Sequence, residues 1–212
     1  LKLYRKLFGL DIPFFDAVAV APLMDSHCGG ETITKRASMV LNHQGGCSVE
    51  VISPTSFTPK GPVFDLAIGD LGIGCTTIKT PDIRKMHEHA REILGDICDE
   101  ELVIDPLGRL TFYLRDFDTN LFQILESDKW FTNHGHPSGG IMGCTIGVSN
   151  MEESFKLYCN ILGYDKVLLD ESGLFEDWGH LPGGKENYRR VILAQTKPCT
   201  GGFAAVMGET TI

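Results

Sequence analysis

Lys2-Leu3-Tyr4-Arg5-Lys6-Leu7-Phe8-Gly9-Leu10-Asp11 reads against Lys156-Leu157-Tyr158-Cys159-Asn160-Ile161-Leu162-Gly163-Tyr164-Asp165. Lys, Leu, Tyr, Gly and Asp recur in register 154 residues apart, and three further positions hold matched aliphatic or aromatic residues. Self-similarity at a fixed offset marks a repeated structural unit, and it sets the architecture before any local reading does. Both stretches have helical spacing and stop at a glycine, the residue that takes the left-handed C-terminal position most readily.

The copy around Lys156 extends in both directions. Ile141 to Val148 is short, apolar and rich in β-prone residues, so it reads as a strand. Asn150 followed by Glu153 forms a capping box, and Met151, Phe155, Tyr158 and Leu162 fall on one helical face. Tyr188 to Gln195 and Gly202 to Met207 read as the next strands, Gly208-Glu209 as a turn, and Thr210 to Ile212 as the start of a fourth strand. A third, more diverged copy lies between the two. Gly72 to Lys79 is its strand, Asp82 caps a helix with Ile83, Met86, Ala90 and Ile93 inward, and Gly95 ends it. Leu102 to Ile104, Leu110 to Arg115 and Leu121 to Leu125 supply three strands, the last two joined by the Asp/Asn-rich turn 116–120. The first copy opens in its helix and adds strands at Ala17 to Ala21, Ala37 to Leu41 and Cys47 to Ile52, with a Gly45-Gly46 turn.

Each unit is therefore β-α-β-β-β, an α+β pattern. The expected domains are 1–127 (two units), a polar Gly/Pro-containing linker over 128–139, and 140–212 as the first unit of a second domain. The repeat predicts an opening strand before Leu1 and a fourth unit after Ile212.

Composition is that of an ordinary globular chain: 212 residues, 42% apolar, 22% charged. The net charge of -9 and the lack of a basic stripe argue against nucleic acid as a partner. No apolar run reaches the roughly 18 residues of a membrane span. Seven cysteines, scattered singly and without a CxxC, point to a reducing compartment, and a cytoplasmic location is expected. No GxGxxG and no Walker lysine occur, so a nucleotide cofactor is not expected.

Three stretches carry a family resemblance. Phe155-Lys156-Leu157-Tyr158 with Leu162-Gly163-Tyr164 resembles the first helix of the vicinal oxygen chelate superfamily, which includes glyoxalase I, bleomycin-resistance proteins and extradiol dioxygenases. Arg115 to Glu126 resembles its turn between the third and fourth strands, and Gly45 to Val51 resembles the same turn in another unit. The resemblance implies that two units curl into a cup-shaped sheet whose first and fourth strands carry metal ligands. It maps Glu50, Cys75, Gln123 and Gly143 onto such positions. Glu50 then serves as ligand or general base, Gln123 as an amide-oxygen ligand and Cys75 as a thiolate. Alternatives stay open for each: a solvated carboxylate, an amide satisfied by a neighbouring strand, and a small buried hydrophobe. Gly143 has no side chain to offer.

Outside the cup positions, the histidines are weak ligand candidates. His134 and His136 sit two apart in the polar linker, and His87 and His89 two apart on a helix, where they do not face each other. The long connection from Phe175 to Arg190 concentrates Trp178, His180, Tyr188 and Arg189, which suits a small anionic organic ligand. Three functions follow from the resemblance. The leading one is a lyase- or isomerase-type enzyme that uses zinc, nickel, manganese or iron on a small oxygenated substrate. The second is a metal-free binding protein of the bleomycin-resistance type, and the third is an extradiol dioxygenase. A homodimer is also expected. The expected site brings Glu50, Cys75 and Gln123 together in one cup.

Overall fold

The computed structural model describes residues 1–46, 48–61, 63–196 and 209–212. The Gly202 to Met207 strand reading lies outside the described residues. The elements run α1 (Lys2–Phe8), β1 (Ile12–Val20), β2 (Thr34–Leu41), β3 (Ser48–Pro54), β4 (Gly72–Thr80), α2 (Ile83–Leu94), β5 (Val103–Ile104), β6 (Leu110–Arg115), β7 (Leu121–Glu126), β8 (Ile141–Gly147), α3 (Met151–Phe155), β9 (Lys166–Gly173), β10 (Tyr188–Ala194) and β11 (Glu209–Thr211). Several elements differ from the sequence reading, among them β1, which starts at Ile12 rather than Ala17. β9 has no counterpart in it, and Glu209 stands in a strand rather than a turn. Leu162 is exposed, because α3 runs into a π-helical stretch over Lys156–Ile161. There Leu162 N–H donates to Leu157 O, so an extra residue rotates Leu162 off the face shared by Met151, Phe155 and Tyr158.

The local signals are realised where they are chemically specific. Asp82 accepts from Lys85 N–H and Asn150 from Glu153 N–H, the side-chain caps expected at two helix starts. Asp116 Oδ1 accepts from both Asp118 and Asn120 N–H and fixes the turn into β7, with Thr119 at φ 69°.

The strands form two sheets. β1-β2-β3 is three-stranded and antiparallel, and the eight-stranded sheet has the order β5-β6-β7-β4-β8-β11-β10-β9. In the larger sheet each unit is wound with its first and fourth strands parallel and adjacent: β4 with β7, and β8 with β11. The units join where their opening strands pair antiparallel, β4 with β8. The second unit therefore shares its sheet with the third, not with the first. A two-unit domain over residues 1–127 would need β1 to β3 in the same sheet as β4, and they are not.

The first unit packs instead on the helical side of the large sheet. Leu7, Phe8 and Leu10 of its helical end and Val40 of β2 share one buried cluster with Ile78, Met86, Phe112, Leu114, Phe122 and Ile124. Residues 128–139 are tied to the first unit by hydrogen bonds. Buried Gln44 accepts from His134 and His136 N–H through Oε1 and donates through Nε2 to His136 O. Asn42 donates to Phe8 O and Ser138 O. Gly45 and Gly140 let the two backbones touch: a Cβ on Gly45 would lie 1.8 Å from Gly139 O, and one on Gly140 1.7 Å from Gly46 O.

Candidate functional site

Strand alternation assigns the faces. Ile78, Phe112, Phe122 and Ile124 point to α2, so Cys75, Thr77, Tyr113, Leu121 and Gln123 point to the concave face. On the partner unit, Val191, Leu193 and Ile212 lie under α3, while Arg190 and Ile192 face the concavity. Backbone pairing aligns Gln123 with Thr77, Thr77 with Gly143, and Gly143 with Glu209. This row crosses the first and fourth strands of both units. Its first-strand residue is Thr77, one row away from Cys75, which aligns with Thr145.

The chemistry of that row is weak for a metal. Thr77 Oγ1 donates to Gln123 Oε1 at 3.3 Å, so the amide oxygen is already engaged, and Gly143 contributes nothing. Cys75 is only 2% exposed among Tyr113, Leu121 and Ile192, and burial pushes its thiol up to about 12. Among the described residues, no group of three or more His, Cys, Asp or Glu is arranged to hold an ion.

The concavity is filled from within. The connection between β9 and β10 turns back over it, with Phe175, Trp178 and Leu181 buried against Cys75, Tyr113 and Ile192. Arg190, 2% exposed, donates from Nη1 to both oxygens of Asp177 at 2.8 and 2.9 Å. Its guanidinium lies 3.9 Å from the centre of the Trp178 ring. Tyr113 OH donates to Asp177 Oδ2 at 3.0 Å, and Trp178 Nε1 donates to Tyr113 OH at 3.1 Å. The phenol is held well above its ordinary pKa, first by burial and then by the Asp177 charge. Arg190 Nε is buried without a partner. Beside this plug the sheet opens into a cleft of about 820 Å³, whose lining includes Lys79, Arg109, Lys129 and Lys166 with Glu126 and Asp128.

The sequence-based candidates separate. Glu50 on β3 pairs with Met39 on β2, and Met39 aligns with Phe15 on β1. That row points away from Val40 and Val49, which pack against the core shared with α2. Glu50 is therefore on the outer face of the small sheet, and Gln123 on the far face of the large one, with a buried layer between. The two cannot share one ion with Cys75, and the expected convergence of Glu50, Cys75 and Gln123 is corrected. Trp178 is part of the plug. His180 Nε2 contacts Asp99 Oδ2 at 3.0 Å. Tyr188 OH contacts Ile68 O and Gly183 O at 2.7 and 2.8 Å, tying down the ends of two loops. Arg189 faces outward, paired with Asp170 and Glu152. Its neighbour Arg190 is the inward cation, which strand alternation from Val191 and Ile192 could have shown. Asp177 was readable only as part of the loop.

The strand order, with two β-α-β-β-β units joined through their opening strands, decides the architecture. The chain has the vicinal oxygen chelate fold. Solved structures with this fold include a candidate dioxygenase from Bacillus subtilis (TM-score 0.60, 14% identity), covering 99% of this chain and 57% of that one. Glyoxalase I from Zea mays superposes with a TM-score of 0.53 at 16% identity, covering 100% of this chain and 61% of that one. A mutant of the same maize enzyme gives 0.54 at 17% identity, with coverage of 99% and 62%. The chain thus spans about three fifths of the length of these vicinal oxygen chelate proteins. No protein-family profile and no curated protein sequence matches it. Among the described residues, no helix is long and apolar enough to cross a membrane.

Proposed function

We propose that this is a glyoxalase-type protein that handles a small oxygenated organic molecule on the outer face of the β1–β3 sheet, with Glu50 as the group that moves a proton. The observation that carries the reading is the contrast between this face and the concave face of the large sheet. The face shared by the second and third units is filled by Arg190, Asp177 and Trp178. The outer β1–β3 face carries Phe15, Ala17, Ala37, Met39 and Ile52, with Lys35 at one end, and Glu50 is its one carboxylate among the described residues. A carboxylate on an apolar wall is placed to take a proton from carbon beside a bound oxygenated group once a ligand excludes water.

A divalent ion belongs to the lyase form of this reading. When bound, it would stabilise negative charge developing on the substrate oxygens. The described residues offer it Glu50 alone, so the remaining ligands would come from a further unit placed against the β3 edge. The similarity in fold to glyoxalase I and to the candidate dioxygenase supports the class of ligand and leaves the reaction to be measured. A second reading, metal-free sequestration of a small organic molecule, takes the 820 Å³ cleft, whose lining mixes four cations with Glu126 and Asp128 and in which Arg109 is already paired with Asp105.

The test is elemental analysis and ligand binding on the longest natural form of the protein, with Glu50→Gln alongside. Stoichiometric divalent metal, lost together with turnover of hydroxyketone or catechol probes in the variant, supports the enzyme. Metal-free protein that binds small organic molecules equally well with and without Glu50 refutes it in favour of sequestration.

A further inference from the structure

The insertion between β9 and β10 occupies the place where a cup of this shape would receive a molecule. Trp178 is 4% exposed and touches both units: its indole N–H reaches Tyr113 of the second, and its ring lies under Arg190 of the third. Phe175 stacks edge-on against it at 5.4 Å and Tyr188 at 6.0 Å. The segment is also fastened at its rim, by His180 to Asp99 and by Ile68 N–H donating to Pro182 O at 2.8 Å. An aromatic ring, a hydrogen-bonded N–H and a paired ion are the contacts that a bicyclic aromatic ligand would make in an apolar pocket with convergent polar groups.

We propose that the insertion is an internal ligand. Trp178 and the Asp177–Arg190 pair take up the cup between the second and third units in place of an external molecule. That cup is a closed site whose task is to fix the two units to each other. Its latent ligand class is a flat bicyclic aromatic carrying one N–H donor, the chemistry of the indole it already holds.

Chemical rescue of the full chain tests this. Trp178→Gly removes the ring and leaves a cavity among Phe175, Tyr113, Cys75 and Ile192, with the Arg190 guanidinium over one face and Tyr113 OH placed to accept an N–H, and a cavity of that shape accepts the matching guest. The expected result is a fall in Tm on the order of 10 °C, partly restored by millimolar indole, with no effect of indole on the wild type. Indole that shifts wild type and variant alike, or a variant as stable as wild type, overturns the proposal. Hydrogen exchange on the wild type decides independently, should the variant not fold. The Leu181 and Gly184 amides, which donate to Trp178 O and Leu181 O, are expected to exchange only with global unfolding. Exchange by local opening at those amides would make the segment a lid over a working site and would equally overturn the proposal.

Discussion

Breaking the buried Arg190–Asp177 pair from one side should destabilise the protein far more than removing it from both. The two side chains are 2% and 1% exposed. Asp177→Ala deletes both contacts from Arg190 Nη1 and the acceptor of Tyr113 OH, and leaves a guanidinium among Trp178, Phe175 and Ile192. An uncompensated buried charge of this kind costs about 3–5 kcal/mol. Arg190→Met strands the carboxylate with only the Tyr113 hydroxyl, and a loss of similar size is expected. The double variant Arg190→Met/Asp177→Leu removes both charges and keeps most of the volume. It should fall within about 2 kcal/mol of wild type, or exceed it, since apolar replacements of whole ion pairs are often neutral to stabilising. Arg190 Nε, already buried without a partner, adds to the case for the double variant. Urea unfolding of all four proteins, followed by Trp fluorescence and closed as a double-mutant cycle, gives a coupling of several kcal/mol if the reasoning holds. Single variants that lose under about 1 kcal/mol, or a double variant equal to the sum of the singles, would refute it.

Other outcomes follow from buried polar groups. Gln44→Ala removes an amide that bonds the backbone at His134 and His136, and should cost about 2–4 kcal/mol with faster exchange at those two amides. Cys75, its thiol raised to about 12 by burial, should stay unmodified by a thiol reagent at pH 8 in native protein and react on denaturation. Asp99 has a raised folded-state pKa, chiefly from desolvation, so its contribution is full below the unfolded value of about 3.9 and is lost as pH rises through the folded pKa. Asp99→Asn should flatten that part of the stability profile, measured by urea unfolding at pH 3 to 7. An unchanged profile would assign the slope elsewhere.

The repeat made the units legible, because helix stops at Gly9 and Gly163, caps at Asp82 and Asn150 and the Asp116 turn are local chemistry written in adjacent residues. Which unit joins which was not legible. Pairing of β4 with β8 rests on contacts between strands some 70 residues apart, and the 128–139 stretch between them has the polar, Gly/Pro-containing look of a linker. Its docking depends on Asn42 and Gln44, two ordinary-looking turn residues whose amides are buried. The site suffered from the same gap. Glu50 and Gln123 each sit at a plausible strand position, but a site needs both on one concave face, and that is a property of the pairing. In β4, Cys75 pairs with Thr145 while Thr77 pairs with both Gly143 and Gln123, so the central row falls on Thr77, two residues along the same face.

Tyr113, Asp177 and Arg190 come from the second unit, the insertion and the third unit, and Asp177 joins the other two by accepting from Tyr113 OH and Arg190 Nη1. Arg190 alone would be a buried cation, Asp177 alone a buried anion, and Tyr113 alone a phenol in an apolar cluster. Docking the insertion therefore requires both units in place, and displacing one unit would strand charges in the other. A one-residue slip of β4 against β8 would turn the buried side chains of β4 to the other face and would also pull Tyr113 away from Asp177. The polar triad thus adds to the register that burial of β4 already specifies. An external ligand that entered this cup would have to displace Trp178 and break that lock, whereas the β1–β3 face has no such contacts to lose.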